Sequence, residues 1–310
     1  MNKILLFYKY IDITYPGKIR EWQRTLCESL NLKGRILIAH EGINGTIGGS
    51  PTDIEKYIIE MEKSELFHDV DFKESYAQGE SFPKLKVKVR AEIVRLGVDP
   101  EKIHAKNGGK HLTPEEVHAL IEKKPDNLVI LDARNTFEAK VGKFNEAIVP
   151  DIEYFRDLPK FLDEHEELFK DKQVLMYCTG GIRCERASAY LKTKNVAKDV
   201  YQLEGGIHRY IEKYPDGFFR GKNYVFDGRV SVRVNDDVLS TCEQCNKSCD
   251  EYTNCVNAEC NKHCILCVTC IKALENTCST ACLKKVQAQE VIMRTIPAKT
   301  SEALNTKKGS

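Results

Sequence analysis

Between residues 242 and 282 the chain places ten of its thirteen cysteines. The segment that holds them, residues 231–290, is too short and too polar to bury a core of its own, so something other than hydrophobic burial has to stabilise it. Crosslinks or metal ions are the two options, and in a reducing compartment crowded thiols more often bind metal. Cys242 and Cys245 form one CxxC pair and Cys267 and Cys270 a second, with Cys249, Cys255, Cys260, Cys264, Cys278 and Cys282 around them. A tetrahedral zinc site wants four thiolate or imidazole ligands, and a CxxC turn supplies two of them. A subset of the ten can therefore hold one or two zinc ions. Disulfides and an iron–sulfur cluster are the alternatives, and spacing does not say which cysteines go together.

The compartment follows from what the sequence lacks. No run of eighteen apolar residues is present, and the opening "MNKILLFYKYIDITYPG" has too short an apolar core for a signal peptide. The expectation is a cytoplasmic protein with no membrane partner. Its formal net charge of +1 gives no global attraction to nucleic acid, so any basic contact surface must be local. Nothing in the sequence sets an oligomeric state.

Residues 1–95 alternate in type. "KILLFYKYIDI" reads as a strand, "KIREWQRTLCESLNL" as an amphipathic helix, "GRILIAHEGINGTIGG" as a hairpin, "TDIEKYIIEMEKSELF" as a second helix and "KLKVKVRAEIV" as a last strand. The βαββαβ order predicts a ferredoxin-like α+β sandwich. Asn44-Gly45 predicts the hairpin's tight turn, because that turn needs positive φ. In the last strand Lys84, Lys86, Lys88 and Arg90 share one face. Such a row either grips an RNA backbone or protects a sheet edge from aggregation.

From residue 96 to about 230, short Val, Ile and Leu runs alternate with helical segments, which predicts a parallel sheet flanked by helices. In open sheets of this kind ligands sit at the carboxyl ends of strands. The run "QVLMYC" ends on Cys178 and leads into "TGGIRCERASAYL", where helical spacing begins near Arg183. A loop before a helix N-terminus turns backbone N–H groups and the positive end of the dipole towards whatever it encloses. Gly180 and Gly181 let the loop curl so that the N–H groups of the stretch Thr179, Gly180, Gly181 and Ile182 converge. A cysteine there, with Arg183 behind it, should have a lowered pKa and react as thiolate.

Cys184 is placed either to resolve an oxidised Cys178 or simply to pack. Asp132, Arg134 and Glu138 are candidates to orient Arg183 or a substrate, and Arg186 to support the loop. The double glycine of "LEGGIHRY" makes a tight strand-to-helix turn, and His208 reads as structural. The polar residues 291–310 are expected to be disordered.

Cysteine, four residues, arginine, on a loop that closes a strand, resembles the active-site loop of the rhodanese domain, and "VILDARNTFEAKVGKFNEAIVPDI" and "VYQLEGGIHRY" agree over roughly residues 105–220. Taken in order, "EGINGTI", "YCTGGIRCE" and the cysteine-rich segment resemble a bacterial family of rhodanese-like tRNA uridine hydroxylases, over about residues 1–285. That resemblance implies a tRNA partner, molecular oxygen as co-substrate, 5-hydroxyuridine at wobble position 34 as product, and Cys178 as the essential thiol. No flavin or nicotinamide fingerprint and no facial iron triad stands out. The loop alone supports a plain sulfurtransferase, carrying a persulfide on Cys178, equally well, and a binding module without turnover is a third reading.

Overall fold

The structure, a computed structural model, describes residues 1–295. The first unit contains β1 (Asn2–Tyr10), α1 (Pro16–Ser29), β2 (Lys33–Ala39), β3 (Gly42–Gly49), α2 (Pro51–Glu62), β4 (Lys73–Ala77) and β5 (Leu85–Val89). Its sheet runs in the order β4-β1-β3-β2-β5, a ferredoxin-like sandwich with one strand added. Leu5, Phe7, Ile36, Ile38, Ile43 and Ile47 point from the sheet into a core with Cys27, Ile54, Tyr57 and Met61 of the helices. Alternation puts Leu6, Tyr8 and Arg35 on the other face, which no helix of this unit covers.

Two expectations fail here. The sandwich's own last strand is β4, and the lysine segment is an extra edge strand parallel to β2. "KESYA" has too little apolar character to announce itself. The second failure is Asn44-Gly45, which lies mid-strand in β3, paired to Tyr8 and Phe7 of β1. The turn falls at His40 and Glu41, and a Cβ at position 45 would lie 2.3 Å from the Phe7 ring. The glycine makes room for an aromatic side chain.

The second unit contains β6 (Lys110–Leu112), α3 (Pro114–Lys123), β7 (Leu128–Asp132), α4 (Thr136–Ala139), β8 (Gly142–Phe144), α5 (Leu158–Glu164), β9 (Gln173–Tyr177), α6 (Ile182–Thr193), β10 (Asp199–Leu203), α7 (Gly206–Lys213), β11 (Phe219–Tyr224) and β12 (Ser231–Arg233). Strands β6, β10, β9 and β7 form a parallel sheet in that order. The Thr113 side chain and Glu116 close a reciprocal cap at the start of α3, fixing its entry. One apolar cluster on α6 and α5 fills one side of the sheet and another, on α3 and α7, fills the other. Helix α6 begins at Ile182, one residue before the predicted start.

The cysteine-rich unit has little regular structure: β13 (Tyr252–Asn254) pairs with β14 (His263–Ile265), and α8 (Val268–Ala273) and α9 (Thr280–Gln287) follow. The start of the segment expected to be disordered is bound to this unit. Ala258 N–H donates to the Ile292 carbonyl and Arg294 N–H to that of Val256, both at 2.9 Å. The remainder of that segment, 296–310, lies outside the described residues. Among those residues no helix is long and apolar enough to cross a membrane.

Candidate active site

Cys178 follows β9, the second strand in from the β7 edge, so the sheet delivers its Sγ to the carboxyl end of the strands as topology requires. Three neighbours hold the loop. Gly181, at φ 103°, turns the chain into α6, and its N–H donates to Cys178 Sγ at 3.2 Å. Gly206, at φ 65°, packs so closely that a Cβ there would lie 2.5 Å from the Cys178 carbonyl oxygen. The third is the uncovered face of the N-terminal sheet: Leu6 lies against Gly180 and Tyr8 against Gly181. The glycines thus serve two elements closing on one loop as well as the loop's own curl.

Burial alone would push the Cys178 thiol up, but the Cys184 S–H, the Arg183 guanidinium and the N–H groups of Arg183 and Gly181 outweigh it and bring the thiol from 9.0 down to about 5. The site holds a thiolate at neutral pH. Cys184 moves the other way, pushed far up by burial and by its hydrogen bond to the Cys178 charge. It stays protonated and donates.

Arg183 is gripped by Glu138, whose two oxygens accept from Nη1 and Nη2 at 2.6 and 2.7 Å. Nη2 also reaches Thr179 Oγ1 at 3.3 Å, and the Glu138 side chain is fully buried. A bidentate, desolvated pair of this kind fixes the guanidinium in one orientation. Asp132 and Arg134 play no part in it. They pair with one another in the interior, Arg134 Nη2 donating to Asp132 Oδ2 at 2.6 Å and to the Gly142 carbonyl at 2.7 Å, while Tyr177 donates its hydroxyl to Asp132. Of the three candidates for orienting Arg183, only Glu138 does so. Arg186 is a fully buried clamp that ties α6 to the interdomain segment through the carbonyls of Ile103 and Val98 and the carboxylate of Glu92.

Above the thiolate is a cavity of about 200 Å³. The loop supplies its floor, from Cys178 to Arg183. Ile4, Leu6 and Tyr8 of β1 and Arg35, Asn44 and Thr46 of β2 and β3 make one wall, and His208, Phe226, Asp227 and Arg229 another. Phe226 is 55% exposed, with the Arg183 guanidinium carbon 5.9 Å from its ring centre. His208 packs its backbone N–H on the Thr179 carbonyl and its Nδ1 stands 3.2 Å from Glu212. It is a wall residue held by the fold. The first wall comes from segments more than a hundred residues before the loop and the second from 25 to 51 residues after it, and nothing in the sequence marks the first as the loop's neighbour.

The cysteine-rich unit sorts eight of the ten cysteines into groups, which spacing alone does not do. Cys242, Cys245, Cys267 and Cys270 converge in one group and Cys255, Cys260, Cys278 and Cys282 in a second, each set of sulfurs within 4.8 Å of one another. The pairs interleave, first with third and second with fourth. Sulfur separations of 3.7 Å for Cys245 and Cys267 and 3.6 Å for Cys260 and Cys278 match the roughly 3.8 Å edge of a tetrahedron with metal–sulfur bonds of about 2.3 Å. Cys249 and Cys264 belong to neither group. They pack in the unit's small apolar core with Tyr252, Ile265 and Leu274, and Cys264 Sγ lies 3.7 Å from the Thr253 carbonyl.

Lys84, Lys86, Lys88 and Arg90 are all exposed along β5 and its end, at the sheet edge. They do not reach the thiolate.

Three family models match this chain: the UPF0176 acylphosphatase-like domain over residues 2–93, the rhodanese-like domain over 113–213 and the rhodanese C-terminal region over 220–283. Proteins named tRNA uridine(34) hydroxylase are similar across all three. That of Corynebacterium jeikeium is 44% identical over 83% of this chain and 86% of its own length, and that of Corynebacterium diphtheriae 43% identical over the same shares. Among solved structures, the rhodanese-like domain of an Anabaena protein is 22% identical, covering 36% of this chain and 78% of that one with a TM-score of 0.30.

Proposed function

The chain belongs to the tRNA uridine(34) hydroxylase family, and from that premise we propose that it converts the wobble uridine of tRNA to 5-hydroxyuridine with Cys178 as the catalytic nucleophile. The observation that carries this reading is a buried thiolate on the floor of a cavity with room for a single small ring. A base inside an RNA helix cannot reach such a point, whereas an unpaired loop nucleotide can swing out of its stack and enter. The exposed ring of Phe226 at the rim offers the entering base a stacking surface.

The thiolate adds to C6 of the uracil, and the electron pair of the C5–C6 double bond moves to C5 and the O4 carbonyl. Arg183, held by Glu138 and Thr179, keeps positive charge beside the sulfur, while the Gly181 N–H and the Cys184 S–H hold the lone pair that attacks. Dioxygen supplies the oxygen atom bound at C5. Loss of the C5 proton and departure of the Cys178 thiolate then restore the double bond. The O–O bond is cleaved with two electrons from a small-thiol reductant in the medium, so that uridine, dioxygen, two thiols and no net protons give 5-hydroxyuridine, water and a disulfide.

The two cysteine groups are read as zinc sites. Zinc supplies no chemistry to the thiolate; it crosslinks a unit whose apolar core is small, and that unit packs beside the loop between β11 and β12 that bears Phe226 and Arg229. A tRNA substrate supports the reading of a cytoplasmic protein.

Nucleoside mass spectrometry of tRNA incubated aerobically with the protein and with Cys178→Ser tests the reading. 5-Hydroxyuridine from the unmodified protein alone supports it. A thiolated nucleoside, or hydroxylation that survives the substitution, overturns it.

A further inference from the structure

We propose that the helix-free face of the N-terminal sheet, beyond the part that closes on the catalytic loop, is an RNA track leading from the cavity along Arg35 to Lys86 and gripping the backbone of the strand whose base enters. The proposal rests on the tRNA reading above and names the surface that reading needs.

Sheet register carries the argument. Directly paired residues project to the same face of a sheet. Leu6 pairs with Thr46, Thr46 with Arg35, and Arg35 with Lys86. The first three of these line the cavity, and the fourth stands at the sheet edge. The row crosses three interstrand gaps, about 14 Å from cavity wall to edge. The neighbouring row, Tyr8, Asn44, Leu37 and Lys88, is covered at its inner end, where Tyr8 donates to Glu185 and Asn44 Nδ2 to the Ile93 carbonyl, and is open only towards Lys88. Lys84 lies two residues before Lys86 and so on the same face. The opposite face of β5 is spent on packing, with Val87 at 2% exposure beneath α1.

Charge points the same way. The protein's charges nearly cancel, and many of its cations are spoken for: Lys9, Lys73, Arg183, Arg186, Lys194, Arg209 and Lys222 all sit in ion pairs. Arg35, Lys84, Lys86 and Lys88 form none among the described residues. Edge protection accounts for lysines on β5, since an edge strand must discourage pairing with another chain. It does not account for Arg35. That residue is on an interior strand hydrogen-bonded on both sides, yet its side chain is exposed, unpaired and in the cavity wall. A row of unpaired cations that ends at a nucleophile suits a phosphate backbone whose base is in the cavity.

The test is fluorescence anisotropy of a labelled anticodon-arm RNA against the full-length protein over a range of salt concentrations. Arg35→Ala, Lys86→Ala and the Lys84→Ala, Lys88→Ala double variant are compared with Lys56→Ala, on α2 across the sandwich. Each lost phosphate contact should reduce the slope of log affinity against log salt by about 0.7 to 0.9, and KM for hydroxylation should rise. Lys56→Ala should match the unmodified protein. If the unmodified protein binds with a steep slope and the Arg35 and Lys86 variants keep it, the track is wrong and the hydroxylase reading stands. If the unmodified protein shows no salt-dependent RNA binding, both fall together.

Discussion

Replacing Cys184 with alanine should raise the pKa of Cys178 without touching the nucleophile. Lowering that thiol from 9.0 to about 5 corresponds to about 5 kcal/mol of preference for the thiolate. A hydrogen bond donated to a charged acceptor contributes on the order of 1.5–3 kcal/mol of this. Without the Cys184 S–H the midpoint should therefore climb by about one to two pH units, while Cys184→Ser, which keeps a donor, should stay close to the unmodified protein. The readout is ultraviolet thiolate absorbance across pH, taken as the difference between each protein and its Cys178→Ser counterpart so that the other cysteines cancel.

The same shift is a stability term with a definite sign. The folded thiol is more acidic than the unfolded one, so its contribution is absent below about pH 5, grows as pH rises from there to the ordinary thiol value of 9.0, and is complete above it. The stability advantage over Cys178→Ser should grow over that window. An unmodified protein whose difference signal titrates near 9, or a Cys184→Ala protein with an unmoved midpoint, would refute the electrostatic account of the site.

Three further outcomes are expected. Glu138→Gln leaves the Arg183 guanidinium buried without its counter-charge, which should cost about 3–5 kcal/mol and lower the Tm of the central unit by roughly 10 °C; an unchanged melting curve would mean water already screens the pair. Metal analysis should find two zinc ions per chain, one after Cys242→Ser or Cys255→Ser and still two after Cys249→Ala or Cys264→Ala, and a strong chelator should abolish the circular dichroism of the cysteine-rich unit. Gly181→Ala forces an L residue to φ 103° with its Cβ 2.7 Å from the Tyr8 hydroxyl. It should lower kcat by shifting the thiolate's N–H donor, and full activity would show that the loop tolerates far more play than its contacts suggest.

What the sequence disclosed about this site was local. Strand, cysteine, two glycines, arginine and helix lie within a few residues of one another, so the lowered pKa can be argued from their order alone. Glu138 was named among three candidates, but only the fold separates it from Asp132, because Asp132 meets Arg134 two residues on and spends its charge there. The grouping of cysteines was hidden for a related reason. Pairs that are adjacent in sequence do not share a site; the chain passes between two sites alternately, and spacing records only the bite of each pair. Asn44-Gly45 misled because a glycine that makes room for Phe7 is indistinguishable in sequence from one that makes a turn.

The walls of the cavity explain why the N-terminal unit accompanies this catalytic loop at all. A cysteine loop on a parallel sheet is open to solvent on the side that its own domain does not cover, and an exposed thiolate reacts with whatever arrives. Here Leu6 and Tyr8 lie against Gly180 and Gly181, so the sandwich closes that side and leaves an opening fit for one ring. The face that closes the site continues into the row that ends at Lys86, so access and recognition fall to the same sheet. A substitution that tilts this sheet, such as a bulky residue at Gly45 beneath Phe7, should therefore disturb RNA affinity and thiolate chemistry together. Substitutions at β5 should disturb affinity alone.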